Sequence, residues 1–320
     1  MRRVKLLFTS VGRRVELMQA FRAAATELGV DLEIIGTDLT TTAPALYFCD
    51  KAKQVCRIKE PNYIPMLVDI CREEAVDVLI PTIDTDLLLL SERKKDFEAI
   101  GTRVLVSAPE KIRICRDKRF TANYFHSVGL ESPNPTDDYL AYKGGFPAFI
   151  KPKDGSSSIF AYKVETLEEL ETYAKQVPDY IIQPFIKGRE YTIDIFCDFD
   201  GKPIYITPRE RLAVRAGEVL KTKICCDEVM TAEMLNLLQD YKPCGAITVQ
   251  LIQQETTGKN FYIEINPRFG GGAPLSMKAG ANSAKALLQL LLGGQITYVH
   301  NAAEDGAIYC RFDQSVRVEG

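Results

Sequence analysis

One short stretch constrains this chain more than any other: residues 260–274 read NFYIEINPRFGGGAP, an alternating run that stops at a proline, an arginine and three glycines. Alternation predicts a strand with Tyr262, Glu264 and Asn266 on one face and Phe261, Ile263 and Ile265 on the other. The preceding run, 245–253 (GAITVQLIQ), is a second strand, and 255–259 with Gly258 inside it makes a hairpin loop. Pairing about the centre of that loop sets Gln250 opposite Glu264. A carboxylate beside amide carbonyls suits a hard divalent cation such as Mg2+, which takes its other ligands from water and phosphate. An amphipathic hairpin with one half-solvated face would show the same pattern. The neighbours favour a site: Arg268 follows at once, and Gly270, Gly271 and Gly272 let backbone N–H groups approach an anion.

The first third alternates strand and helix. Residues 4–8 form an apolar strand, 9–14 (TSVGRR) a tight loop, and Leu17, Phe21, Ala24 and Leu28 recur at helical spacing before Gly29. Further strands at 32–35, 76–80 and 104–106 alternate with helices around 64–71 and 87–97, which describes a doubly wound parallel sheet. Ligands of such sheets lie at the carboxyl ends of the strands, so Gly12, Arg13, Arg14, Asp38, Asp84 and Asp86 are candidates by position. The loop has one glycine where a dinucleotide fingerprint needs three. Arg13 and Arg14 are candidates for an anionic substrate, while solvated loops and domain contacts explain such residues equally well.

With 320 residues, 46% hydrophobic and 26% charged, the chain has material for two or three domains. A net charge of -3 gives no general attraction to nucleic acid or membrane. The nine cysteines show no metal-ligand or redox spacing, so a reduced, cytoplasmic protein is expected. No run reaches the length of a membrane span, and no targeting segment is read in the first residues.

From residue 109 the character changes. Lys118 sits near the start of a helix over 116–128, and 146–153 (FPAFIKPK) is a strand ending in Lys151. Residues 154–158 (DGSSS) make a small-residue turn whose N–H and hydroxyl groups suit phosphate, although an ordinary hairpin tip would look similar. The chain has no Walker motif. In 180–198 an apolar strand is followed by a hinge at 183–186 and then by Glu190, a carboxylate able to accept from two ribose hydroxyls or to keep an edge strand soluble. Residues 207–218 (TPRERLAVRAGE) crowd Arg209, Arg211 and Arg215 into one polar segment, which favours capture of a carboxylate or acyl phosphate over a solvated loop. His126 and His300 read as structural, and no serine or cysteine is placed with a base.

In this order the parts resemble the ATP-grasp superfamily, and within it one synthetase half of the carbamoyl-phosphate synthase large chain and its stand-alone relatives. The resemblance covers nearly the whole chain. It implies α/β and α+β architecture: a Rossmann-like pre-ATP-grasp domain over 1–115, a small ATP-grasp subdomain forming a nucleotide lid over 116–186, and a large subdomain over 187–320 with the metal and acyl-phosphate site. It implies ATP binding by Lys118 and Lys151, by a flap of Gly155, Ser156, Ser157 and Ser158, by the adenine hinge of Gln183, Phe185 and Ile186, and by Glu190 on the ribose. Gln250, Glu264 and Asn266 then hold Mg2+ or Mn2+, and Arg268 steadies the transferring phosphoryl group. Near the γ-phosphate that this arrangement implies, Arg209 and Arg215 of the arginine-rich segment are catalytic candidates for capturing the carboxylate or acyl phosphate. Arg13, Arg14 and Arg211 are weaker substrate candidates.

The implied function is an ATP-dependent carboxylate-amine ligase working through an acyl phosphate, with small-molecule acid and amine substrates. Ammonia from a separate partner or a free amino compound would serve as amine. An ATP-binding module without ligase activity, and an enzyme that phosphorylates a carboxylate or carbamate, stay open beside it. A homodimer is the base-rate expectation.

Overall fold

The computed structural model describes residues 3–155 and 159–318. The chain opens with β1 (Arg3–Thr9), α1 (Val15–Leu28), β2 (Asp31–Asp38), β3 (Lys51–Gln54), α2 (Tyr63–Glu74), β4 (Val78–Pro81), α3 (Leu87–Glu92), α4 (Lys94–Glu98) and β5 (Arg103–Val104). These strands build a parallel sheet in the order β3-β2-β1-β4-β5. The doubly wound sheet expected from the alternation is therefore present. Helix α1 forms because Leu17, Phe21, Ala24 and Ala25 recur on one buried stripe, and Gly29 ends it in the left-handed region at φ 63°. Strand β3, KAKQ, escaped the sequence reading because it is a polar, largely exposed edge strand with no hydrophobic period.

Next come α5 (Pro109–Arg116), α6 (Lys118–Ser127), β6 (Ala148–Pro152), β7 (Tyr162–Val164), α7 (Leu167–Ala174) and β8 (Tyr180–Pro184). The single helix expected over 116–128 is divided at Asp117, whose extended backbone and side chain cap α6 by accepting from the Arg119 N–H. Strands β6, β7 and β8 form a small antiparallel sheet in the order β7-β6-β8.

The remainder is β9 (Gly188–Cys197), β10 (Pro203–Arg215), β11 (Glu218–Ile224), α8 (Glu228–Tyr241), β12 (Ala246–Gln254), β13 (Asn260–Asn266), α9 (Ala273–Lys278), α10 (Ser283–Leu291) and β14 (Ile308–Cys310). Its antiparallel sheet runs β13-β12-β9-β10-β11-β14. The arginine-rich segment 207–218 is thus no loop: it spans most of a long hairpin, β10 with β11.

A line of aromatic rings joins the parallel sheet to this large one. Phe8 on β1 meets Phe21 on α1 at 5.2 Å, Phe21 meets Phe269 at 5.9 Å, and Phe269 stacks on Phe196 of β9 at 6.1 Å. All four are buried in one core, so the backbone beside Arg268 is held by apolar contacts from both sheets.

Inside the large sheet a charged pair replaces hydrocarbon. Arg209 on β10 is 1% exposed, and its Nε donates to Asp194 Oδ2 on β9 at 2.8 Å. Ser276 on α9 donates to the same oxygen at 2.6 Å, and Thr248 on β12 to Oδ1 at 3.4 Å. One carboxylate thereby ties four elements. Replacing Asp194 by alanine strands the guanidinium in the interior, which costs about 3–5 kcal/mol. The urea midpoint of Asp194→Ala should fall accordingly, and an unchanged midpoint would show that the pair does not hold the sheet.

Candidate functional site

The hairpin of β12 and β13 pairs Gln250 with Glu264 and Thr248 with Asn266, as the symmetric loop predicts. The register shifts between Gln250 and Leu251, so Leu251 faces Tyr262 and Ile263 is the extra residue of a β-bulge. This corrects the expected alternation. Tyr262 turns inward with Ile265 into the core and donates to Glu233 Oε2 at 2.7 Å. Ile263 turns the other way and lines a cleft together with Glu264 and Gln250. The Asn266 amide donates to Glu264 Oε1 at 2.9 Å. Among the described residues no group of three His, Cys, Asp or Glu side chains stands together as a metal site. One carboxylate flanked by two amides fits a Mg2+ ion only when phosphate and water complete its shell.

The cleft has a volume of about 420 Å³ and lies between the small sheet and the large one. Lys151 at the end of β6 and Lys118 at the start of α6 stand on one wall, with Gly155, Gln183, Phe185, Ile186 and Glu190 around the rest. Lys151 is 8% exposed. Burial, and then the like charge of Lys118, pull its ammonium down to about 8, while Glu264 opposes them. Burial also lowers Lys118, against the attraction of Glu264 and Asp154. Lys118 Nζ donates to the Gly155 carbonyl at 3.1 Å. Two cations on one cleft, each disfavoured by burial, suit a polyanion.

The hinge residues are tied from behind. Gln183 Nε2 donates to the Pro133 carbonyl at 2.6 Å, and the Phe185 N–H to Pro147 O at 3.1 Å. The Phe185 ring lies 4.9 Å from Lys163 Nζ and 6.4 Å from the Phe149 ring. Glu190 is exposed and accepts from Arg211 Nε at 3.3 Å. Ser156, Ser157 and Ser158 lie outside the described residues.

A second cavity of about 380 Å³ adjoins the cleft and shares Arg211, Gly217, Gln250 and Glu264 with it. Arg14, Arg209, Arg211 and Arg268 line it from the basic side. Arg268 Nη2 is 2.6 Å from Asp84 Oδ2 and 3.2 Å from Asn266 Oδ1. Arg14 lies 3.8 Å from Glu218 and donates to Thr82 O, and burial followed by the neighbouring Arg268 lowers its pKa. Burial lowers Arg211 too, with Glu190 pulling the other way.

The three glycines make this packing possible. A Cβ at Gly270 would stand 2.8 Å from Thr248 Oγ1, one at Gly271 2.5 Å from Glu218, and one at Gly272 2.6 Å from Arg209 Nη2. Their absent side chains admit neighbouring polar groups, a different use from the open backbone approach expected.

Arg215 and Arg13 are not brought to either cavity. The register shift between Arg211 and Ala213 makes Leu212 an extra residue and reverses the alternation of β10, so Val214 faces the cleft. Arg215 turns out to Asp313, 3.1 Å away, and exposed Arg13 reaches the same carboxylate at 3.5 Å. Arg209 lines the second cavity but is engaged by Asp194. Asp38 accepts from the Gly12 N–H at 2.9 Å and closes its own loop. Sequence reasoning passed over Glu218, which sits where β11 leaves the hairpin tip; no local motif marks it.

Two family models match. One, described as "PylC-like, N-terminal domain", covers residues 6–105, and the other, "ATP-grasp in the biosynthetic pathway with Ter operon", covers 176–310. The chain carries an ATP-grasp domain. It is homologous to the 3-methyl-D-ornithine–L-lysine ligase of Methanosarcina acetivorans, 29% identical over 57% of this chain and 46% of that one. It is homologous also to the carbamoyl phosphate synthase large chain of Pseudomonas putida, 24% identical over 87% of this chain and 29% of that one. The chain thus spans less than half the length of either curated relative.

Among solved structures, the biotin carboxylase domain of Hydrogenobacter thermophilus 2-oxoglutarate carboxylase superposes with a TM-score of 0.75 at 17% identity, over 97% of this chain and 75% of that one. The L-amino acid ligase of Bacillus licheniformis gives 0.70 at 18% identity, over 92% and 76%. These likenesses show the ATP-grasp fold.

The lysine pair gives the cleft a pH dependence. Lys151 carries its proton below about 8 and loses it above. Affinity for inorganic triphosphate should therefore decline as pH rises through that value, by up to about tenfold per unit if one full ammonium is lost. Calorimetric titration from pH 6.5 to 9.5 checks this, and an affinity flat across the range would remove Lys151 from the anion's contacts.

Proposed function

We propose that this chain is a Mg2+- and ATP-dependent carboxylate-amine ligase working through an acyl phosphate. The observation that carries the reading is the junction of two cavities. A lysine-walled cleft fitted for a polyphosphate meets an arginine-lined cavity fitted for a carboxylate, and Glu264 and Gln250 stand on the wall common to both. The homology to ligases and the ATP-grasp domain support it.

In this reading the adenine lies by Phe185 and Ile186, the ribose by Glu190, and the triphosphate against Lys118 and Lys151. Glu264, Gln250 and Asn266 would hold Mg2+, which supplies neutralisation of the phosphate charge and a fixed orientation of the γ-phosphoryl group. The acid waits in the second cavity with its carboxylate toward Arg268. One of its oxygens attacks the γ-phosphorus, the bond to the β,γ-bridging oxygen breaks, and that electron pair leaves with ADP. In this reading Arg268 and the two lysines face the charge that develops there.

An amine nitrogen then attacks the acyl carbon. The carbon–oxygen bond to phosphate breaks, inorganic phosphate departs with the electron pair, and the nitrogen gives up a proton to solvent. None of these steps requires a nucleophile from the protein. Both histidines are engaged elsewhere, His126 with the Ser132 carbonyl and His300 with Glu228.

The test is ADP and phosphate release with Mg-ATP across a panel of small acids and amines. Active combinations should lose roughly 100-fold or more in turnover on Glu264→Ala, the loss expected when about 3 kcal/mol of charge stabilisation disappears. Tight ATP binding with no release for any pair would leave a nucleotide-binding module. ADP release that needs an acid but no amine would mark a carboxylate kinase.

A further inference from the structure

The second cavity is unusual in having unspent capacity for both signs of charge. Asp84, at the carboxyl end of β4, accepts one side-chain hydrogen bond among the described residues, from Arg268, where a carboxylate has room for about four. Its Oδ1 has no partner, nor does Arg268 Nε on the other half of the same ion pair. Of the four buried side-chain atoms left without a partner among the described residues, three belong to this cavity's walls: Asp84 Oδ1, Arg268 Nε and Arg209 Nη1. Buried polar atoms are ordinarily satisfied, so their concentration here points to a ligand that turns the pair toward itself. Arg14 adds a second guanidinium close enough to Arg268 to be perturbed by its charge, with one donor used on Thr82 and Glu218 at the looser distance of 3.8 Å.

A plain carboxylate would satisfy the guanidinium groups and leave Asp84 facing a like charge. A simple amine would do the reverse. We propose that this cavity binds an α-amino acid, its carboxylate between Arg14 and Arg268 and its ammonium on Asp84. The 2.6 Å separation of Arg268 from Asp84 sets the two sites side by side. An α-amino acid carries its opposite charges on one carbon, whereas an ω-amino acid holds them apart. The proposal rests on the ligase reading for the use of the neighbouring cleft, but the binding itself needs no nucleotide.

The test is calorimetric titration of the full chain, without nucleotide, against glycine and both the L and D forms of the other standard amino acids. For any that binds, the deamino acid and the methyl ester should each bind at least ~10-fold more weakly, because each leaves one charged partner unpaired. Asp84→Asn should bring amino acid and deamino acid to within about twofold of each other. The proposal is overturned if no amino acid binds, or if the deamino acid binds the wild-type protein as tightly; the wild-type comparison decides even if the variant does not fold. A parallel titration with Mg2+ and a nonhydrolysable ATP analogue separates the two readings. Amino acid binding without nucleotide binding sinks the ligase and leaves this site standing, and the opposite result does the reverse.

Discussion

A guanidinium buried in a sheet must be neutralised where it stands, and the large sheet is arranged around that requirement. Asp194 faces Arg209 across β9 and β10, Thr248 reaches it from β12 and Ser276 from α9. Gly272 has no side chain because the Arg209 guanidinium fills the space a Cβ would take. Such a pair adds little net stability compared with well-packed hydrocarbon, but it is costly to break. It therefore acts as a latch on geometry. Strand β12 carries Gln250, the turn before α9 carries the glycines, and β10 carries Arg211, so one pair fixes the relative positions of both cavity walls.

The lysines show the opposite strategy. Lys151 and Lys118 line the same cleft, neither has a carboxylate at salt-bridge distance among the described residues, and burial works against both charges. Folding tolerates this because the surrounding sheet is held by other contacts, among them the pairing of β6 with β8 and the apolar cluster behind it. On the proposed function, an anion in the cleft would relieve that unfavourable charge. A buried cation such as Lys151 gains more from a polyphosphate than a solvated lysine would, since most of its water has already been removed.

Much of the fold was legible in the sequence. Helical and strand periods gave the doubly wound sheet, and the symmetric loop at 255–259 gave the pairing of Gln250 with Glu264. The bulges were not legible. Ile263 and the residues around Ala213 each insert one step into a regular alternation, and no residue type marks them. Tyr262 was consequently placed on the wrong face and Arg215 on the cavity side. Long-range partners were equally hidden: Asp84 and Arg268 are 184 positions apart, and only tertiary packing makes them an ion pair. The exposed edge strand Lys51–Gln54 failed for a third reason, because a strand that buries neither face leaves no periodic trace.

The partition between the cavities has a kinetic side. Arg211, Gly217, Gln250 and Glu264 belong to both, so a molecule seated in either compartment strips hydration from a surface the other occupant must touch. Charges on that partition interact more strongly once dried. Were both compartments to fill as proposed, the first arrival would alter the dielectric its companion meets, and the order of loading would follow from four shared positions, with no movement of a domain required.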